Sequence, residues 1–376
     1  MKNKSVFFKT NLIYFIILAG LVAVRVVANL GLLGFMGEYG NYLLNLFLQV
    51  GLMFLLPVLL LSKFNGQKVR KTFKDFNFRK INFKAILISV LIGIIVFFLN
   101  LVISTIFSAI ISIFGYESSS SGATSGLQSY PFWLFIITIL FSAVLPALCE
   151  ETTHRGLLLN GYRQLGMKKA IIFTSLLFGL MHMNIEQFFY ASLMGALFAF
   201  LTISTGSIVP AIIVHFMNNA ISTYISYANF NGYFMGGFYS RLSAMFSQGF
   251  GVALSLIFVV VLISVLMLAL LIYLLIKQTK VKKVQTIADK IAKNELKNNL
   301  FEGIEDAPKA ESELHYEKEI KIVGDKHMVR LAIDIEDFNY PLKMVEKPSL
   351  FDKIFFYVNI FLGVVITIST FIWGIL

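Results

Sequence analysis

Outside the stretch Lys277–Lys353, the 376-residue chain holds only six acidic residues, and two of them, Glu150 and Glu151, are adjacent at the end of an apolar run that contains Pro146. An ionised side chain at membrane depth costs about 2.5–3.5 kcal/mol on insertion scales, so the carboxylates retained there face the protein interior and mark function. Arg155 follows Glu151 by four residues, one helical turn away on the same face, where the two charges neutralise each other. Glu150 is rotated by about 100° and lacks that local partner. The spacing therefore predicts Glu151 with Arg155 as a supporting ion pair and leaves Glu150 as the carboxylate free for proton transfer.

Three of the five histidines fall in the apolar part of the chain. His154 sits beside the carboxylate pair, at a position expected to be loop-like or a helix end. His182 closes the segment FGLMH, and His215 opens HFMNN, in which Asn219 follows by four residues and so points the same way from its helix. A single membrane histidine is ordinarily a hydrogen-bonded packing residue, but packing alone accounts poorly for several polar residues on separate helices. Helical rise tests whether they can meet. If the helix bearing Glu150 runs to about Gln164 and turns at 165–168, Glu150 and His182 both lie about 23 Å from the turn, at about 1.5 Å per residue. His215 is only about nine residues beyond the turn at Thr205 and Gly206, so it reaches that depth only if this uncharged turn is recessed.

Other nucleophiles are less suited. Cys149, the only cysteine, excludes an intrachain disulfide, points about 100° away from Glu150, and is expected to be a buried small hydrophobe. Ser175 and the serines at 204 and 207 lack a G-x-S-x-G setting.

The elements that must position these groups are membrane helices. Hydrophobic residues make up 57% of the chain and charged ones 14%, and the mean hydropathy is +0.78, which leaves too little polar surface for a soluble globule. Apolar stretches at 11–35, 41–62, 85–115, 131–149, 169–184, 187–205, 208–228, 250–276 and 354–374 approach or exceed the length needed to cross hydrocarbon. They lack the strict alternation of a barrel wall, so the fold expected is an all-α polytopic bundle of about nine transmembrane helices. The stretch Lys277–Lys353 is balanced, with 15 basic and 15 acidic residues, so the net charge of +11 arises elsewhere, where 17 basic face 6 acidic residues. Those basic residues concentrate in alternate loops, the pattern that places the N-terminus in the cytoplasm. Topology thus accounts for the charge, and nucleic-acid binding is not expected. Arg25, inside the first apolar run, is open to snorkelling towards headgroups or to pairing with a membrane carboxylate.

Three parts are expected along the chain. Residues 1–276 form an eight-helix membrane domain with the chemical core at 131–227. Residues 277–350 form a charged cytoplasmic insert, first a helical extension and then partly disordered, with EIKIV and VRLAIDI as possible short strands. Residues 351–376 form a C-terminal transmembrane anchor.

EETTHR, FGLMH and HFMNN match in order the EExxxR, FxxxH and HxxxN motifs of the type II CAAX prenyl endopeptidase and bacteriocin-processing (CPBP, or Abi) membrane protease family, which residues 131–227 resemble. In that family a hydrophobic pair usually ending in Phe precedes the arginine; here Thr153 and His154 do, so this first motif is more polar. The resemblance implies an endopeptidase in which Glu150 activates water with help from His182, while His215 and Asn219 stabilise the oxyanion. A desolvated carboxylate is a stronger base towards water, and preorganised donors stabilise developing charge. No cofactor is required on this reading, although Glu150, His182 and His215 could instead hold a divalent metal such as zinc with an open position for water. No H-E-x-x-H helix is present.

The expected partners are the lipid bilayer and a peptide or protein substrate near the membrane, with no nucleic acid; the sequence leaves the oligomeric state open. The expected location is a cell membrane, crossed many times, and the Phe-, Ile-, Lys- and Asn-rich usage points to a bacterial plasma membrane. Two other function classes compete. One is a non-catalytic scaffold or immunity protein that retains the family core, and the other is a transporter that relays protons through intramembrane Glu and His.

Overall fold

In the computed structural model, the residues described are 5–31, 37–117, 128–238, 240–241, 244, 255, 257–279 and 348–375. They are helical with no strand among them. The principal helices are α1 (Val6–Asn29), α2 (Gly40–Asn65), α3 (Val69–Asp75), α4 (Phe83–Ile113), α5 (Phe132–Tyr162), α6 (Met167–Met181), α7 (Ile185–Thr205), α8 (Val209–Asn231), α9 (Ile257–Thr279) and α10 (Ile354–Trp373). The expectations for the charged insert fall almost wholly outside the described residues.

Each of the nine apolar stretches falls on a helix, and the protein is an all-α polytopic membrane bundle. Among the described residues seven helices are long and apolar enough to span by themselves, and α6 and α8 are not among them: α6 has only 15 residues, and α8 carries the polar His215, Asn218 and Asn219. Both are packed against other helices, so the bundle supplies the apolar contact that their own composition lacks. By contrast, α9 turns most of its apolar residues outwards, as lipid contact allows.

Local chemistry fixes the helix ends. Ser5 accepts from the Phe8 amide at 3.1 Å, Asn82 from that of Ala85 at 2.7 Å, and Asn184 from that of Glu186 at 2.8 Å, so three N-termini carry side-chain caps. Helix α7 stops at Gly206, whose φ of 67° is the left-handed geometry that favours glycine.

Helix α5 departs from expectation. Its apolar run was expected to end near 149, with His154 at a loop-like position. Instead the helix continues through Pro146 to Tyr162, with π-helical turns at Leu140–Val144 and Thr152–Leu158. The first absorbs the amide hydrogen bond that Pro146 cannot donate, and the second places His154 wholly inside the helix, fully buried.

The turn between α7 and α8 lies beneath the connection that follows α3. Asn77, itself at a φ of 60°, turns its carbonyl to accept from the Ile208 amide at 3.0 Å. The Ser207 hydroxyl donates to the Arg79 carbonyl at 2.6 Å, and Ser207 and Ile208 are buried. The same connection reaches α5, where Asn77 Nδ2 donates to Asn160 Oδ1 at 3.1 Å and Phe76 packs against Gly156. The uncharged turn is thus covered by a basic segment, with Ser207 and Ile208 buried beneath it.

Cysteine labelling tests both the cover and the orientation that the charge pattern predicts. The sole native thiol, Cys149, is buried, so single introduced cysteines can be read against it. With a membrane-impermeant maleimide, Lys71→Cys is expected to react only from the cytoplasmic side, while Ser207→Cys stays unreactive from either side until the protein is denatured. Labelling of Lys71→Cys in intact cells would reverse the orientation.

Candidate functional site

Three helices converge on one guanidinium. Arg155, with no exposed side-chain surface, donates from Nη1 to Glu151 Oε1 at 3.0 Å and from Nη2 to the Gly195 carbonyl on α7 at 2.9 Å. The rings of Phe178 on α6 and Phe198 on α7 flank it, 4.5 and 5.0 Å from the guanidinium carbon. A delocalised cation between two aromatic faces gains about 2 kcal/mol or more per contact once desolvated, which offsets part of its burial cost.

Glu151 does more than neutralise Arg155. Its Oε1 also faces His215 Nδ1 at 3.0 Å, so the carboxylate joins α5 to α8. Because a carboxylate oxygen accepts, Nδ1 carries the proton and Nε2 is turned away. That Nε2 lies 4.0 Å from Glu150 Oε2, a separation that one water or a shared proton would close. Phe198 stacks on the His215 ring at 5.2 Å with an interplanar angle of 21°.

Glu150 is buried, and its Oε2 has no protein hydrogen-bond partner. His182, just past the end of α6, directs Nδ1–H to the Phe178 carbonyl at 2.8 Å, leaving its own Nε2 free on a partly exposed ring. The phenylalanine of the FGLMH segment thus serves twice, holding the histidine with its carbonyl and the arginine with its ring. On α8, Asn219 Oδ1 accepts from Asn218 Nδ2 at 3.0 Å.

The polar first motif is packed without strain on its hydroxyls. Thr152 donates to the Leu148 carbonyl at 2.7 Å and Thr153 to that of Met53 on α2 at 2.6 Å. His154 Nδ1–H donates to the Glu150 carbonyl at 2.9 Å, with its ring against Tyr14 and Phe178. Arg25 Nη1 donates to the backbone carbonyl of Met183 at 3.1 Å, beside His182.

Of the expected site residues, the structure brings Glu150, Glu151, Arg155 and His215 into one network, with His182 joined to it through Phe178. Sequence reasoning missed the Glu151–His215 contact, the flanking Phe178 and Phe198, and the Gly195 carbonyl; the only sign was the phenylalanine within FGLMH itself. A zinc ion held by Glu150, His182 and His215 would need those three to close on a common point. Among the described residues no three His, Cys, Asp or Glu side chains form such a group, so no chemical step is derived through a metal.

This is a multi-pass helical membrane protein with a buried cluster of two carboxylates, a guanidinium and an imidazole. Residues 131–221 match the family model for type II CAAX prenyl endopeptidase Rce1-like, which supports membership of the CPBP family and covers all three motifs. Comparison with curated proteins and with solved structures gives no match.

Removing the guanidinium would leave Glu151 buried and unpaired. Breaking a buried pair in this way typically costs about 3–5 kcal/mol, so Arg155→Met is expected to lower the unfolding midpoint in detergent far more than Arg25→Met, whose loss is one hydrogen bond to a carbonyl. Equal shifts for the two would show that the cluster does not hold the bundle.

Proposed function

We propose that the protein is an intramembrane endopeptidase that hydrolyses a peptide bond of a membrane-associated peptide or protein through a glutamate-activated water. The observation that supports this most is the pairing of Glu150, whose Oε2 lacks a protein partner, with a His215 Nε2 only 4.0 Å away in a segment matched by an endopeptidase family.

The chemistry follows from which atoms are free. A water between Glu150 and His182 Nε2 gives its proton to Glu150 as its oxygen attacks the scissile carbonyl carbon. The carbonyl oxygen becomes an oxyanion, which Asn219 Nδ2 and a protonated His215 Nε2 are oriented to receive. Glu150 then passes its proton to the departing amine as the carbon–nitrogen bond breaks, leaving a carboxylic acid and an amine.

Glu150→Gln keeps shape and removes the base. General-base loss typically costs about 10²- to 10⁴-fold in rate, so peptide fragments present in membranes of cells expressing the parent protein should disappear, with the intact precursor accumulating. Unchanged biological function in this variant would favour the non-catalytic scaffold, and unchanged fragments would overturn the role of Glu150.

A further inference from the structure

Helix α4 is one of the two most apolar membrane helices among the described residues, yet it carries one carboxamide, Asn100. Its Oδ1 is buried without a partner. A polar side chain kept in such a helix, with half of its hydrogen-bonding capacity unused, is a cost that packing does not explain. Its other half is used: Nδ2 donates to Asn218 Oδ1 on α8 at 3.2 Å. Asn218 Nδ2 in turn donates to Asn219 Oδ1 at 3.0 Å. The two helices come close enough for this because Gly93 of α4 faces Met217, where an added Cβ would overlap the methionine.

The three carboxamides form a chain with one direction. Asn100 and Asn218 each donate from Nδ2 to the carbonyl oxygen of the next carboxamide, and the last, Asn219 Nδ2, has no hydrogen-bond partner among the described residues. We propose that Asn100 and Asn218 are positioning residues: the Asn100–Asn218–Asn219 chain, starting on α4, fixes the rotamer of the Asn219 amide so that its N–H rather than its carbonyl oxygen faces the site. The proposal rests on the endopeptidase reading for its consequence, though not for its geometry. An Asn219 amide turned the other way would present an acceptor to a developing oxyanion and repel it. Serial donation also polarises each amide in turn, making the terminal N–H a stronger donor than an isolated carboxamide.

The decisive variant is Asn100→Leu, which suits an apolar helix and removes an unsatisfied acceptor, so the full-length protein in detergent is expected to unfold at the parental temperature or above. Its first readout does not depend on catalysis. In protein labelled with ¹⁵N-asparagine, the Asn219 side-chain amide signals, assigned by their loss in Asn219→Ala, should shift in Asn100→Leu. Unshifted Asn219 signals overturn the chain, whatever the variant's stability.

The second readout is hydrolysis of an internally quenched, farnesylated peptide ending in Cys-Val-Ile-Met. Loss of one oriented oxyanion donor costs about 10²- to 10³-fold, and loss of its orientation alone is expected to lower kcat by about tenfold with KM within about twofold. In an Asn219→Ala background, where there is no amide left to orient, the same substitution should change kcat less than about twofold. An equal loss in both backgrounds overturns the positioning role. Cleavage of this peptide by Glu150→Gln at the parental rate would instead bring down the endopeptidase reading, while the amide signals would still report the chain.

Discussion

Everything in the centre of this bundle is arranged around the cost of burying one positive charge. Arg155 has no water to solvate it, and Coulomb attraction to Glu151 alone would not repay the desolvation of both groups. The remaining compensation comes from the other helices: a carbonyl from α7 and an aromatic ring from each of α6 and α7. Glu151, having spent one oxygen on Arg155, uses that same oxygen to hold His215 on α8. The cation therefore sets the spacing of four helices, and Glu150, the neighbour of the engaged carboxylate, keeps an Oε2 with no hydrogen-bond partner, 4.0 Å from His215 Nε2.

The π-helical turn at Thr152–Leu158 belongs to the same solution. A π turn widens the helix by about one residue per turn and frees carbonyls from the regular ladder. The Glu150 carbonyl accepts from His154, and the Thr153 hydroxyl reaches across to α2. The polar residues of the first motif are thereby absorbed locally rather than left facing lipid. Below it, Phe76 fills the space that Gly156 leaves empty, so the widened turn is braced from the connection that also covers the start of α8.

The legible part of this design was whatever helical periodicity could carry. Glu151 with Arg155, and His215 with Asn219, are four apart on one helix, and the rise per residue put Glu150 level with His182. What periodicity could not reach were contacts between helices distant in sequence. Glu151 and His215 are 64 residues apart, and nothing in either segment names the other. The continuation of α5 to Tyr162 agrees with the helix to about Gln164 that the depth comparison assumed, whereas composition ended its apolar run near 149 because Pro146 and the carboxylates resemble a terminus. Asn100 went unremarked in its apolar run because its partner lies on α8, to which Gly93 gives access.

His182, His215 and Asn219 share a construction. His182 is tied by Nδ1 to the Phe178 carbonyl, His215 by Nδ1 to Glu151, and Asn219 by Oδ1 to Asn218. Each is bifunctional, and in each the protein engages one end and leaves the other unengaged. That is how a site made of rotatable side chains acquires fixed polarity: the tethered atom decides which proton or lone pair the free atom presents. A core built only for packing would satisfy both ends, because every unpaired polar atom in a low-dielectric interior carries a penalty. Leaving three free ends beside an unpartnered carboxylate is stable only because the Arg155 cluster and the apolar shell around it hold the bundle without them.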